Sequence, residues 1–392
     1  LSWLKKLISA CHEQDIHVIM DGVYNHVSMD FPYKQFYLNQ EECPYTGTYG
    51  GTFTGLQDLN FNNACTNDFI LDVCTYWSEV FGIDGIRFDN TINFYKARDH
   101  KGLSKLIPAL NKQFAKLKQE NFSLTLEHID VDAAQVTNEV DATSFWDNAL
   151  YERTFQYLYA QQIDSRLLNA LTDQRYLDST AKVPTIYLSN HDHSQVAWQA
   201  GARENLGRMR WYKAQPYVIA LYTSPATPLI ANGAEFAEDY WLPEDDHGTG
   251  TRVSPRPLRW IHATDDIGIQ MAALYRRMGQ IRQNYPGLQS PNFEPMPWEE
   301  WQMQFNPQGY GIDVGKQLVI YHRWGNDMQG KSQKFVVVIN FADYTQQVRV
   351  PFPENGLWTD LLCDYQGTWQ VQVNAGWLAF EIGSNWGHIF YK

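Results

Sequence analysis

This 392-residue sequence predicts an α/β fold, a (β/α)8 TIM barrel that is N-terminally truncated, followed by an antiparallel β-sandwich domain. Three observations predict it. Short apolar strand-like runs alternate with helical patterns over the first two thirds of the chain, which is the signature of a parallel sheet. The chain opens abruptly inside a helical pattern, at Leu1 rather than Met. From about Leu318 the pattern changes to short alternating runs separated by Gly, Asn and Pro, the signature of antiparallel sheets.

Taken in order, Leu4, Leu7, Ile8 and Cys11 keep helical spacing and lead into the strand-like run His17-Val18-Ile19-Met20-Asp21. Further strands are predicted at Asp84–Asp89, Ser123–Glu127, Ala142–Trp146, Thr185–Asn190 and Thr227–Ala231. Helices are predicted near Asp68–Phe81, Gly102–Glu120, Ala149–Leu171, Arg203–Tyr222 and Ile267–Asn284. Six strands are visible; a closed barrel needs two more, and the truncated start is where they belong. A doubly wound sheet is the alternative, but no Gly-rich phosphate loop follows any strand. The domain reading is a catalytic barrel over 1–290 with a short inserted loop domain at about 27–60, a linker or cover over 291–317 rich in Trp, Met and Pro, and a β-sandwich over 318–392. Within the last domain the strands are read from LVIYHRW, KFVVVINF, QQVRVPF, WTDLLCD, TWQVQVN and WLAFEIG.

Composition excludes some classes. A net charge of −13, spread along the chain, offers nucleic acid or an anionic membrane no basic patch. No apolar run approaches the ~20 residues of a membrane helix. Aromatic residues reach 15% of the chain, a supply of flat amphipathic rings that suits sugar stacking as well as core packing. The five cysteines include no CxxC pair, which counts against a zinc or redox motif. Cys43 and Cys65 flank a Gly/Thr/Tyr-rich loop and either bridge or stay as thiols; a bridge, with the acidic charge, leans toward export.

Polar residues gather where the predicted strands end. Asp21, Asn25 and His26 follow the first, Arg87 and Asp89 close another, Glu127 and His128 end a third, and Asn190, His191 and Asp192 end a fourth. One Asp at a strand end is ordinary, because Asp suits turns and helix caps. Four strands delivering carboxylates to one rim is costly repulsion unless a cation or a reaction justifies it. Arg87, two residues before Asp89 on one strand, faces the same side by the period of two.

In this order and spacing the motifs resemble those of the α-amylase family of retaining glycoside hydrolases. Asp21-Gly22-Val23-Tyr24-Asn25-His26 resembles the first family signature and Gly85-Ile86-Arg87-Phe88-Asp89 the second. Glu127 with its strand resembles the third, Asn190-His191-Asp192 the fourth, and Gln57-Asp58-Leu59-Asn60 a short fifth motif in the inserted loop. The resemblance implies Asp89 as nucleophile, Glu127 as acid/base and Asp192 as the third carboxylate that favours the distorted sugar ring. It implies that His26, Arg87 and His191 bind substrate or hold the nucleophile, with Arg87 aiming Asp89 and Asp21 bracing Arg87. The acid/base must hold a proton until it is used, and apolar surroundings for Glu127 are the expectation. His128 and Asp130 are candidates for contact beyond the cleaved bond.

No cofactor is needed for the chemistry, but the resemblance implies a structural calcium on Asn25 and Asp58, whose oxygen donors suit that ion. The family's site also draws on the main chain four residues after the nucleophile, here Asn93. Many starch-cleaving members carry Lys-His after the nucleophile, whereas this chain has Ile92-Asn93, and QDLN leans toward members acting on short oligosaccharides or α-1,6 links. The expected substrates are starch- or glycogen-type glucans or maltooligosaccharides, cut at α-1,4 bonds, with α-1,6 bonds as the second option. A glucan transferase or branching enzyme of the same family is the second reading. A non-catalytic glucan-binding relative is the third, and it predicts loss of one of Asp89, Glu127 and Asp192, all of which are present.

Overall fold

A computed structural model describes all residues except 52, 54, 98, 120, 173–181, 243–254, 297–303 and 364–367. The expected helix end at Glu120, part of the 291–317 segment and the last residue of WTDLLCD therefore lie outside the described residues. The described chain forms two compact units, one of Leu1–Asp147 with residues 182–184, the other of residues 148–172 with Thr185–Lys392.

In the first unit the strands are β1 (Ile19–Gly22), β2 (His26–Ser28), β3 (Leu56–Asp58), β4 (Gly85–Phe88), β5 (Ser123–Leu126) and β6 (Ser144–Asp147). Strands β1, β4, β5 and β6 are joined in that order by parallel ladders, a parallel half-barrel sheet. All four residues of β4 are buried, as in a strand covered on both faces, and among them Arg87 is the one charged side chain. The helix Leu103–Lys116 supplies cover by burying Leu103, Leu106, Ile107, Leu110 and Phe114, a stripe at helical spacing. Register then places the polar residues. Asp21 pairs with Arg87 across β1 and β4, and the ladder continues past the strand ends as Asp89 donates its N–H to Gly22 and Glu127 to Phe88.

The inserted loop is built on the antiparallel pair β2–β3, which sets His26 opposite Asp58. Rings of Phe31, Tyr33, Tyr45 and Phe69 pack together beside it, at centroid distances of 5.1 to 6.4 Å. The proposed bridge in this loop does not form: Cys43 is a buried thiol and Cys65 an exposed one.

In the second unit, β7 (Thr185–Tyr187) and β8 (Thr227–Leu229) pair in parallel, and the chain ends in an antiparallel all-β domain. Two predicted helices are each broken in two. The first splits at Gln161, whose φ of 56° is left-handed backbone, into Ala149–Ala160 and Arg166–Leu171. The second yields to a 3-10 stretch before Gln215–Thr223, where Pro216 fits the first turn of a new helix because its missing N–H is unneeded there.

The all-β part contains β9 (Phe293–Glu294), β10 (Gly311–Asp313), β11 (Leu318–Asn326), β12 (Ser332–Asn340), β13 (Gln346–Pro351), β14 (Gly356–Asp360), β15 (Trp369–Val373), β16 (Trp377–Ile382) and β17 (Trp386–Tyr391). The larger sheet runs β10-β11-β12-β17-β14-β15 with β9 on β11, and β13 pairs with β16. Ile320, Val336, Val338, Trp358, Val371 and Phe390 fill its core.

Arg323 on β11 is wholly buried and donates four hydrogen bonds to carbonyls: Nε to Asn292, Nη2 to Leu288 and Ser290, and Nη1 to Thr223 at the end of the helix Gln215–Thr223. A guanidinium used as a knot of buried donors cannot be removed without orphaning several carbonyls at once. Arg323→Met is expected to destabilise this unit by about 2–4 kcal/mol, read from denaturant unfolding; a loss under about 0.5 kcal/mol would contradict the assignment.

Candidate active site

The strand-end rule brings Asp21, Arg87, Asp89 and Glu127 together in the first unit. Arg87 is 4% exposed, and its guanidinium lies over the Trp146 ring at 4.2 Å. Its Nη1 donates to Asp21 Oδ1 at 2.6 Å and to Asp89 Oδ1 at 2.8 Å. Its Nη2 stands 2.6 Å from Glu127 Oε2, an ion pair without hydrogen-bond alignment. Burial pulls the Arg87 charge down, and the carboxylates of Glu127, Asp21 and Asp89 more than offset it, so the guanidinium sits above its usual range. Asp21 is half exposed and its contribution is correspondingly screened.

Glu127 departs from expectation. Its carboxylate is not in an apolar setting: Oε2 meets Arg87 and accepts the backbone N–H of Asn90 at 2.8 Å. The reason is the turn after β4. Asn90 takes left-handed backbone, φ 42°, which aims its N–H at the neighbouring strand end, a conformation Asn tolerates better than most residues. Thr91 then binds the Glu127 carbonyl twice, through its N–H and its hydroxyl, each at 2.9 Å.

His128 is a second correction. It is 3% exposed and bonded on both ring nitrogens, Nδ1 with Thr91 Oγ1 at 2.9 Å and Nε2 with Asp132 Oδ1 at 3.2 Å, so it faces the interior and not a ligand. Asn90, Thr91 and Trp146 escaped the sequence reading. Trp146 ends a predicted strand, and the rule that found the carboxylates would have found it too.

Asn25 and His26 flank the same centre. Asn25 Nδ2 donates to the Asp89 carbonyl at 2.8 Å and to Asp89 Oδ2 at 3.3 Å. Burial pulls the His26 imidazole below its usual value, against the opposing influence of Asp89 and Asp58.

With its Nδ2 engaged, Asn25 leaves Oδ1 buried without a partner. Asp58 accepts N–H groups from Tyr49 and Gly51 on Oδ2 and leaves Oδ1 buried and unpartnered too. The two residues are linked, since Leu59 donates its N–H to the Asn25 carbonyl. The loop closes tightly around Asn93, whose carbonyl oxygen lies where a Cβ at Gly50 would fall, 1.3 Å away, so only glycine fits. The two orphaned buried oxygens are hard donors of the kind calcium takes. Elsewhere among the described residues, Glu238, Asp239 and His262 gather closely, but Arg259 already pairs with both carboxylates.

His191 and Asp192 belong to the second unit. The Asn190 side chain caps their turn by accepting the Asp192 N–H at 2.9 Å, and His191 Nε2 stands 3.7 Å from Asp192 Oδ1. Asn190, His191, His193, Gln195, Asn232 and Arg256 line a cleft of about 330 Å³, with His193 stacked 3.8 Å from the Tyr151 ring.

Residues 2–299 match the alpha amylase catalytic domain, and residues 311–385 match the alpha amylase C-terminal all-beta domain. Alpha-amylase 2 of Dictyoglomus thermophilum is 23% identical over 75% of this chain and 51% of its own length. The 1,4-alpha-glucan branching enzyme GlgB of Rhodopseudomonas palustris is 23% identical over 91% of this chain and 50% of its own length. The chain thus spans about half the length of these curated relatives. Among solved structures, the alpha-amylase from Geobacillus thermoleovorans complexed with acarbose superposes with a TM-score of 0.73 at 19% identity, covering 99% of this chain and 80% of that one. A cyclomaltodextrinase superposes with a TM-score of 0.73 at 18% identity, over 99% and 62% respectively. With its catalytic-domain match extending over three quarters of the sequence and the all-β match following it, this chain belongs to the α-amylase family.

Proposed function

We propose that this protein cleaves α-glucosidic bonds in starch- or glycogen-type glucans or maltooligosaccharides by double displacement. The observation that carries the reading is the pair of carboxylates, Asp89 and Glu127, on adjacent strand ends and bound by one buried guanidinium. Retaining glycosidases need two carboxyl groups only about 5–5.5 Å apart, one to attack and one to protonate. Asp89 attacks the anomeric carbon as Glu127 gives its proton to the departing oxygen, and the C–O bond breaks. Glu127 then takes a proton from the incoming hydroxyl, which attacks the glycosyl-Asp89 ester and frees Asp89. Arg87 fixes both carboxylates, and Asn25 holds Asp89 from the other side. His26, kept neutral by burial, is available as a hydrogen-bond donor to a sugar hydroxyl. Motif position assigns Asp192 the role of third carboxylate and His191 that of substrate binding.

The test is reducing-end release from amylose and pullulan, with Asp89→Asn as the blank. Release from amylose supports α-1,4 hydrolysis; release from pullulan supports α-1,6 hydrolysis when the product is maltotriose and α-1,4 hydrolysis when it is panose or isopanose. The absence both of release and of any change in chain length or branching would overturn the reading. A second reading, transfer to a sugar hydroxyl instead of water, is favoured by the branching enzyme that aligns over 91% of the chain. It predicts altered chain length or branching in amylose with little reducing-end gain.

Calcium is part of the proposal, held by the Oδ1 atoms of Asn25 and Asp58 with main-chain oxygen from Asn93. Bound there it supplies positive charge that ties the inserted loop to the strand ends. A ligand at 100 times its dissociation constant stabilises by about 2.7 kcal/mol. Chelation with EDTA is therefore expected to lower Tm by several degrees in the parent and by much less in Asp58→Asn; an EDTA-insensitive parent would remove calcium from the proposal.

A further inference from the structure

Resting on the role proposed for Glu127, we propose that Thr91 and His128 are positioning residues for it, and that the proton count of the His128 ring sets whether the Thr91 hydroxyl stays on the Glu127 carbonyl. Asp132, His128, Thr91 and Glu127 form a chain of hydrogen bonds at 3.2, 2.9 and 2.9 Å, ending on the main chain of the acid/base residue. Thr91 and His128 are 0% and 3% exposed, so water does not make up a bond lost between them, whereas Asp132 at the far end is 45% exposed.

A hydroxyl has one proton to give. When Thr91 gives it to the Glu127 carbonyl, Thr91 Oγ1 must accept from His128, which places a proton on Nδ1. At the other end, the Asp132 carboxylate requires a proton on Nε2. Only the imidazolium satisfies both ends. The neutral ring has one proton and must choose. With the proton on Nε2, Nδ1 becomes an acceptor that draws the Thr91 hydroxyl away from Glu127. With the proton on Nδ1, the Nε2 lone pair faces a carboxylate. The Thr91 N–H bond to the same carbonyl persists in every state, so the switch loosens Glu127 and does not release it.

The groups around the ring are Asp132 at Nε2, Asp130 nearby, and Tyr95, edge-on at 5.6 Å with its hydroxyl bonded to Glu139. Burial lowers the His128 value and the acidic residues Asp132 and Asp130 oppose it, leaving it below the usual histidine range. The chain is therefore complete on the acid side of that ionisation and loses a bond as pH rises through it.

The test separates positioning from general folding by using two substrates. Amylose has a poor leaving group and depends on Glu127 as acid, whereas 4-nitrophenyl maltoside has a good one and depends on it far less. Thr91→Val, which keeps the branched shape and removes the hydroxyl, is expected to lower kcat on amylose about tenfold with KM unchanged and to spare the aryl maltoside. His128→Asn places an amide N–H near the Nδ1 position; it is expected to keep most of kcat while removing the ring's ionisation from the kcat–pH profile. Equal losses on both substrates, a KM effect alone, or an unaltered pH profile in His128→Asn would overturn the proposal. The ¹⁵N shifts of the parent's His128 ring supply a measurement that needs no variant: both nitrogens should be protonated on the acid side, and a single tautomer persisting there would also overturn it. If Asp89→Asn is inactive while Thr91→Val matches the parent, only this proposal fails; if Asp89→Asn keeps turnover, the catalytic reading fails instead.

Discussion

Asp89→Asn is expected to lower turnover on glucans by on the order of 10⁴-fold while leaving the fold and Tm nearly unchanged. The substitution keeps the shape of the side chain. Its carbonyl oxygen can still accept from Arg87 Nη1, now at 2.8 Å from Asp89 Oδ1, and the main-chain bond from Asn25 does not involve the carboxylate. What disappears is the only chemistry the position offers, an anionic oxygen able to form an ester with the anomeric carbon. The loss should fall on kcat with KM little changed, because groups other than Asp89 bind the rest of the sugar chain. A fluorinated glucosyl donor that forms a slowly hydrolysed ester should label the peptide containing Asp89 in the parent and not in the variant. A variant within about tenfold of the parent, or a label on another carboxylate, would show that the nucleophile lies elsewhere.

Much of this arrangement was legible in the sequence because parallel strands announce themselves. Each predicted strand from His17–Asp21 to Thr227–Ala231 overlaps an observed one, and in the first unit the residues at the strand ends, Asp21, Asp89 and Glu127, meet on Arg87, a convergence expected without any knowledge of long-range contacts. Side-chain direction was legible for the same reason: the period of two put Arg87 and Asp89 on one side, and their 2.8 Å contact follows. The environment of Glu127 was not legible. It depends on a left-handed Asn90 in the neighbouring turn, and nothing in the run Asp89-Asn90-Thr91 distinguishes that turn from others. Strand β17 was missed for a different physical reason. It lies between β12 and β14 with four consecutive buried residues, so it lacks the alternation that marks a half-exposed strand. The strands β2 and β3 are three residues each, too short for any period to show.

The Arg87 guanidinium is the feature on which the rest of the site leans, and its removal should be costly in two ways. Arg87→Met conserves much of the volume and the contact with Trp146 but leaves Asp89 and Glu127, 21% and 14% exposed, facing each other without a cation. Breaking a buried pair by deleting one partner typically costs 3–5 kcal/mol, since the remaining charges have already lost their water. The half-exposed Asp21 recovers solvation and adds little. A stability loss of about 3 kcal/mol in the first unit is therefore the expected result, measured by denaturant unfolding. Turnover should fall by at least about 10²-fold, because an unanchored carboxylate samples geometries in which the attack cannot occur. Arg87→Lys separates the two effects. A single ammonium restores charge but not the planar fork, so it can face Asp89 or Glu127 and not span both. Lys should thus recover most of the stability and little of the rate. If Lys restores turnover as well, net charge alone organises the site and the two-nitrogen geometry is incidental; if Met is as stable as the parent, the three carboxylates do not depend on Arg87 at all.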